Sequence, residues 1–519
     1  MTYGALENDA RAIAAHLQSL GLGAEQRVVL LFPPGLPFIT AFFGILLAGA
    51  AAVPAYPPHP ARLTSTLPPL QALLANARPA AVLSTSAIQS AVASAMPLPT
   101  GVVWATTDDI ATAPADWRKS SVSGESIALV QYTSGSTAAP KGVLLSHRNL
   151  LRNSATICRA FAHSRESRGV IWLPPYHDMG LIGGIIQPLF AGFPVTLMSP
   201  ASFLMRPLRW LETISRAQAT TSGGPNFAFD LCVRKTTPEQ RAQLDLRSWR
   251  VAFVGAEPVR RETLGRFAEA FAPAGFRAEA FYPCYGLAES TLFVTGGGFV
   301  PAVNIEAQAP VSCGTPAPGV ELQIVDPENA TARSVGETGE VWLRSESIAH
   351  GYFDQPEETQ RAFHTRLAEE PGDFLRTGDL GFVQNGELFL TGRLKNLIII
   401  GGRNHYGEDI EQTVERSSST APQGGCAAFS VDLDGEERLI VALEVDRHFA
   451  RSGPEEMRSA AGALREAIRR AVAERHDLRA QTILLLSPAS LPRTTSGKVQ
   501  RHLCRRAYLA GKLHVLAEI

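Results

Sequence analysis

Residues 127 to 142 read Ile127-Ala-Leu-Val-Gln-Tyr-Thr-Ser-Gly-Ser-Thr-Ala-Ala-Pro-Lys-Gly142, and a helix is expected to begin a few residues later, near Ser146. A short apolar run of this kind is the pattern of a strand buried on both faces, which belongs in a largely parallel sheet covered by helices. From Tyr132 to Gly142, four Ser/Thr hydroxyls, two glycines and one lysine fall within eleven residues. Glycine lets backbone N–H groups approach phosphate oxygens, hydroxyls donate to them, and Lys141 adds a point charge, so the loop can wrap a polyphosphate. It departs from the Walker pattern, because Gly142 rather than Ser or Thr follows the lysine. A ligand-free Ser/Thr/Gly turn fits the same composition, and residues elsewhere have to decide.

Outward from this stretch the texture repeats. Val170 to Leu173, Pro194 to Met198 and Val251 to Val254 are short β-rich runs alternating with helical stretches, the signature of α/β architecture. No Asp, Glu, Lys or Arg occurs from Val28 to Ala61, but seven prolines interrupt that span. Its proline-free piece, Phe38 to Val53, is shorter than the roughly 20 residues a membrane crossing needs. The expected structure there is a buried strand from Val28 to Phe32, a Pro-Gly turn and a buried helix. Ala/Pro/Ser-rich pieces near 54–69 and 93–116 read as loops. After about Ser312 strands come closer together, and Asn385-Gly386 between two apolar runs predicts a two-residue hairpin. From about Leu394 a smaller unit begins, with strands at 397–400, 427–431, 439–445 and 482–486 and an amphipathic helix opening at Pro454. The expected fold is α/β: a large N-terminal domain, 1–393, of α/β subdomains plus a β-rich subdomain, then a small mobile α+β domain, 394–519.

Composition narrows the classes. The 519 residues carry 48 Lys+Arg against 49 Asp+Glu, with 45% apolar and 19% charged residues, a balance that excludes disordered and collagenous chains and gives no basis for nucleic-acid binding. Six cysteines are scattered without CxxC spacing, which points to a reducing compartment. The N-terminus has acids where an export signal needs basic residues, so a cytoplasmic protein without a membrane span is expected.

Three further segments bear on chemistry. In Cys284-Tyr-Gly-Leu-Ala-Glu-Ser, Tyr285 can stack on a nucleobase and Glu289 can reach a phosphate-bound magnesium ion, although a strand-to-helix turn fits equally. Arg376-Thr-Gly-Asp-Leu-Gly places Asp379 in a glycine-flanked turn, where it can accept hydrogen bonds from ribose hydroxyls or serve as an Asx-turn. Arg493-Thr-Thr-Ser-Gly-Lys-Val-Gln-Arg is a second Ser/Thr/Gly/Lys loop.

In this order the segments resemble the adenylate-forming superfamily of acyl-CoA synthetases, luciferases and peptide-synthetase adenylation domains. The resemblance spans the chain and is closest to fatty acyl-AMP ligases. It is carried by Phe32-Pro-Pro-Gly, Pro54-Ala-Tyr-Pro-Pro, Leu173-Pro-Pro-Tyr-His-Asp-Met-Gly-Leu, Gly255-Ala-Glu-Pro-Val and Gly402-Arg-Asn-His-Tyr. Phe363 to Phe374 resembles the insertion thought to restrain the C-terminal domain of those ligases. The chain departs from the family in a short stretch between Thr295 and Ser312, in a short N-terminus, and in Gly407, where proline is common.

The resemblance implies a two-step reaction. A fatty acid carboxylate attacks the α-phosphorus of Mg·ATP, pyrophosphate leaves, and the acyl group of the acyl-adenylate passes to the phosphopantetheine thiol of an acyl carrier protein. Thr133, Ser134, Gly135, Ser136, Thr137 and Lys141 would hold the β- and γ-phosphates. Gly255, Ala256 and Glu257, with Tyr285 and Gly286, would frame adenine, and Asp379 and Arg393 would hold the ribose. Glu289 would bind Mg²⁺, Lys498 would bridge the carboxylate and α-phosphate, and His177 would position the reactants. Lys395 would lie at the hinge of the C-terminal domain. Two alternatives stand beside this reading: an acyl-CoA synthetase with the same first step, and a non-catalytic nucleotide- or acyl-binding scaffold.

Overall fold

The computed structural model describes the chain apart from residues 59–62, 94, 109, 134–139, 299–309, 368–370, 401–402, 418–420, 423, 434–435, 452, 495–496 and 519. The unusual 295–312 stretch therefore lies mostly outside the described residues.

The first sheet holds β1 (Arg27–Leu31), β2 (Ala51–Pro54), β3 (Ala81–Ser84), β4 (Val103–Thr106), β5 (Ile127–Thr133) and β6 (Lys141–Ser146), in the order β4-β3-β1-β2-β5-β6. Its strands run parallel except β6, which turns back along β5. Side chains alternate across β1: Val28 and Leu30 enter one core, Val29 and Leu31 the other. The continuous apolar run is thereby explained, since both faces are covered. Helix Leu36–Ala48 fills the first core, as its charge-free sequence predicts.

Residues 63–69 correct the loop expected over 54–69, because helix Leu63–Ala77 runs through Pro68 and Pro69. Leu67, Leu70, Leu73, Leu74 and Ala77 line its buried stripe against β1 and β3. That burial outweighs the backbone hydrogen bonds the prolines remove. The 93–116 piece likewise contains β4 and a 3₁₀ turn, Pro114–Asp116.

A second sheet follows: β7 (Gly169–Ile171), β8 (Val195–Leu197), β9 (Thr221–Gly224), β10 (Val251–Val254), β11 (Phe281–Tyr285), β12 (Thr295–Gly296) and β13 (Thr315–Pro316). Its order is β13-β12-β11-β10-β9-β7-β8, parallel from β8 to β11, with β12 and β13 added antiparallel at the other edge. Trp210, Trp249, Phe229, Phe267 and Phe281 pack edge to face beneath it. The β-rich part is β14 (Glu321–Val325), β15 (Gly339–Arg344), β16 (Leu375–Gln384) and β17 (Glu387–Arg393), neighbours in that order. Asn385 and Gly386, with φ of 52° and 78°, make the expected hairpin turn.

The chain divides into two compact units. One holds most of the chain up to Thr377 together with Phe382–Leu390, and the other holds Gly378–Gly381 and Thr391–Ile519. In the second unit β18 (Leu397–Ile400) and β19 (Arg403–Tyr406) form a hairpin. Beside it, β20 (Cys426–Leu433), β21 (Glu436–Glu444), β22 (Ala480–Leu486) and β23 (Val515–Glu518) form a sheet in that order. Ile468 and Val472 of helix Pro454–His476 pack with Val441, Leu443 and Ile483 on one face. Cys504 of helix Arg501–Leu509 packs with Ile440, Ala442 and Leu484 on the other.

The 363–374 segment is a closed excursion of the first unit. Thr365 pairs with Phe374, Asp373 takes His364 and Arg366 at 2.9 Å each, and Leu367 and Phe374 are buried with Val325 and Trp342.

Candidate active site

Thr133 ends β5 and Lys141 begins β6, directly opposite each other in the pairing register. Lys141 is therefore a strand residue rather than a loop residue, held by a ladder whose continuation as helix His147–Ala160 is capped by the Ser146 hydroxyl. Ser134, Gly135, Ser136 and Thr137, between them in sequence, lie outside the described residues.

Around Lys141 the first unit gathers a compact polar cluster. Lys141 Nζ lies 2.6 Å from Glu358 Oε2 and 4.8 Å from the centre of the Tyr352 ring. The Tyr352 hydroxyl donates to Glu289 Oε1 at 2.8 Å. Glu358 stands in the first turn of helix Pro356–Phe363 and also pairs with Arg361. Burial pulls the Lys141 ammonium below the usual lysine value, Glu289 opposes that pull, and Arg361 adds to it. Glu289 is fixed by a 3₁₀ turn, Ala288–Ser290, whose Glu289 carbonyl accepts the Ala349 N–H at 2.8 Å. Thr291 follows at φ 69°, its hydroxyl donating to the Ser347 carbonyl at 2.6 Å. Tyr352 and Glu358 were not among the residues singled out from sequence; the available signal was the acid-rich helix start Pro356-Glu-Glu.

Gly255, Ala256 and Glu257 follow β10, while Tyr285 ends the adjacent parallel β11 and Gly286 follows it. They share the carboxyl end of neighbouring strands, where open α/β sheets place ligands. Ala256 takes φ 67°, a left-handed conformation disfavoured for alanine. A Cβ on Gly286 would come 1.5 Å from the Leu292 carbonyl oxygen, so no side chain fits there. Glu257 Oε1 accepts the Phe227 N–H at 2.8 Å, at the start of helix Asn226–Arg234. Tyr285 is 7% exposed, within the core of the first sheet.

His177 Nδ1 lies 2.5 Å from Asp178 Oδ1, which also accepts the Met179 N–H at 2.6 Å. This pair opens helix Asp178–Leu181, which passes into a π-helical turn, Ile182–Ile186. Such turns occur often at functional sites.

The second unit carries the remaining residues. Asp379, 4% exposed, is a strand residue of β16 rather than part of a turn, and the positive φ of Gly378, 69°, precedes it. Arg393 Nε lies 2.6 Å from Asp379 Oδ1. A Cβ on Gly392 would meet the Tyr406 ring at 2.8 Å. Lys395 is exposed in the 3₁₀ turn Leu394–Asn396. Lys498 is exposed on a turn in which the Thr494 N–H donates to the Lys498 carbonyl at 2.7 Å and the Lys498 N–H to Thr494 Oγ1 at 3.0 Å. Within each unit, then, the structure joins Lys141 to Glu289 through Tyr352, and Asp379 to Arg393.

Residues 1–353 match the family described as AMP-binding enzyme, and 395–518 match the Disco-interacting protein 2-like AMP domain. The medium-chain-fatty-acid–[acyl-carrier-protein] ligase JamA of Moorena producens is 43% identical, over 99% of this chain and 90% of its own. The putative fatty-acid–CoA ligase FadD21 of Mycobacterium tuberculosis is 37% identical over 96% and 90%. The crystal structure of a fatty acyl-adenylate ligase from Legionella pneumophila, in complex with acyl adenylate and pyrophosphate, superposes with a TM-score of 0.73 at 40% identity, covering 100% of this chain and 92% of that one. With the α/β sheets, the carboxyl-end glycine turns and these matches together, the chain belongs to the AMP-binding family of adenylate-forming enzymes, among the fatty acyl-AMP ligases.

Proposed function

We propose that this protein activates a fatty acid with ATP, releasing pyrophosphate and forming an acyl-adenylate, and then passes the acyl group to the phosphopantetheine thiol of an acyl carrier protein. The observation that carries the reading is the Lys141–Tyr352–Glu289 cluster, with Lys141 a few residues after the Ser/Thr/Gly-rich run 133–137 in sequence, in a chain 40% identical to a ligase that holds acyl adenylate and pyrophosphate. The carrier as acceptor is supported by the likeness to JamA.

In this reading the fatty carboxylate attacks the α-phosphorus in line with the departing pyrophosphate. Positioning and charge neutralisation supply most of the catalysis. Lys141 and the 133–137 loop take the β- and γ-phosphates, with Lys141 leaving Glu358 to do so. Gly255, Ala256, Glu257, Tyr285 and Gly286 frame adenine. Asp379, oriented by Arg393, accepts the ribose hydroxyls, and Lys498 donates to the carboxylate and the α-phosphate. His177, held by Asp178, orients the reactants and abstracts no proton, because the fatty acid enters ionised. The thiol sulfur then attacks the acyl carbonyl and AMP leaves.

Mg²⁺ neutralises phosphate charge when bound. Glu289 fits it: Tyr352 occupies Oε1, and no described residue hydrogen-bonds Oε2. Among the described residues no group of three or more His, Cys, Asp or Glu side chains could hold a metal. The ion is accordingly expected to arrive with the nucleotide, held by one carboxylate and phosphate oxygens. We place the reaction in the cytoplasm, on the support of six free cysteines, four of them buried. No described helix is long and apolar enough to cross a membrane.

A second reading, transfer to CoA, is supported by the likeness to FadD21. Mass spectrometry of products from purified protein with ATP, Mg²⁺ and dodecanoate separates them. Acyl-adenylate that persists with CoA yet loads a phosphopantetheinylated carrier supports the carrier reading; rapid conversion to acyl-CoA overturns it.

A further inference from the structure

Glu444 ends β21 at 3% exposure, a carboxylate on the strand face that carries Ile440 and Ala442 and packs with Leu491. Both its oxygens are used on one short segment: Oε1 accepts the Leu491 N–H at 2.7 Å, and Oε2 accepts Arg493 Nη2 at 2.9 Å. The other arm of that guanidinium, Nη1, donates to the Gly497 carbonyl at 3.2 Å. This carbonyl belongs to the peptide group that joins Gly497 to Lys498. Gly497 stands at φ 86°, where glycine alone is unstrained and otherwise free to move. The turn is closed above the guanidinium by the Arg493–Val499 bridge, by the Gly497 N–H on the Thr494 carbonyl at 2.9 Å, and by the two Thr494–Lys498 bonds. From there Leu491 and Cys504 tie the segment into the sheet core.

We infer that Glu444 is a positioning residue for Lys498, acting through Arg493; this rests on the role given to Lys498 above. The pair is only half-buried, with the Arg493 side chain 32% exposed, and such ion pairs contribute little to stability. What this pair adds is direction. One rigid, planar group spans the distance from a fixed carboxylate to the peptide that carries the lysine. Lys498 itself is exposed. A misplacement of about 1 Å in a reacting group costs about a hundredfold in rate.

Two conservative variants test this. Glu444→Gln keeps an acceptor for Leu491 and loses the charge facing Arg493, whereas Arg493→Lys keeps the charge facing Glu444 and loses the second donor to Gly497. Each is expected to lower kcat for fatty-acid-dependent pyrophosphate release by about 10- to 100-fold, with KM for ATP within about threefold. Transfer from supplied acyl-adenylate to the carrier should be unchanged, and amide exchange should quicken at 491–500 while β20 to β22 stay protected. Arg493→Lys added to Lys498→Ala should cost nothing further. Full adenylation in both variants, with Lys498→Ala inactive, overturns the inference alone. Equal losses in both half-reactions also overturn it, because they make the pair merely structural. Near wild-type adenylation by Lys498→Ala removes the lysine's role and the inference with it.

Discussion

Lys141 meets a carboxylate, Glu358, where the proposed reaction needs it to meet phosphate. Phosphate can take Lys141 only by exchange of this pair, so Glu358 competes with the substrate. Glu358→Gln should lower KM for ATP by about threefold to tenfold, in line with loss of one partly buried charge pairing, and leave kcat within about twofold. Tyr352→Phe removes the donor on Glu289 and should reduce kcat by about tenfold at saturating ATP, with a raised magnesium requirement. Steady-state pyrophosphate release at varied ATP and Mg²⁺ reads both. At Lys498, alanine should reduce adenylation by about a hundredfold or more while KM for ATP changes little, because the loss falls on the transition state. None of Tyr352, Glu358 or Glu444 was legible in the sequence. Their partners stand 63, 217 and 49 residues away. Lys141, Glu289, Asp379 and Lys498 stood out in the sequence because each lies in a short motif that resembles those of the adenylate-forming family.

Elements were readable where one physical signal dominated. The run from Val28 to Leu31 announces itself by unbroken apolar character, the stripe of helix Pro454–His476 by apolar period, and Asn385-Gly386 by its tolerance of positive φ. Helix Leu63–Ala77 was not readable, since Pro68 and Pro69 signal a break that only the packing of Leu67, Leu70 and Leu74 against the sheet overrides. Asp379 misled for the opposite reason, because its flanking glycines suggest a turn yet lie within β16. Helix His147–Ala160 ends beside a histidine with its own consequence. His163, packed on Phe161 and Phe193, is pushed down to about 4 by burial. Between about pH 6.5 and pH 4 the unfolded chain takes a proton there that the folded chain refuses, so the stability this residue contributes is complete above that window and lost as pH falls through it. Between pH 7 and pH 5 the loss is about 2 kcal/mol. Denaturant unfolding of His163→Gln should show a correspondingly flatter acid limb; an unchanged limb would contradict it. At the turn Leu394–Asn396, Lys395→Pro should spare adenylation and impair carrier loading, and equal loss of both steps would count against a hinge there.

The residues assigned to adenylation are distributed over both compact units. The first supplies Lys141 and Glu289, and the second supplies Asp379, Arg393 and Lys498. Adenylation is reversible and needs no thiol, so it can be isolated from everything that follows. The measurement is exchange of labelled pyrophosphate into ATP by the purified protein with dodecanoate and Mg²⁺, in the absence of CoA and carrier. Exchange is expected to depend on both the fatty acid and Mg²⁺ and to be abolished in Lys498→Ala. No exchange across a series of fatty acids, or exchange indifferent to the fatty acid, would contradict the proposed adenylation.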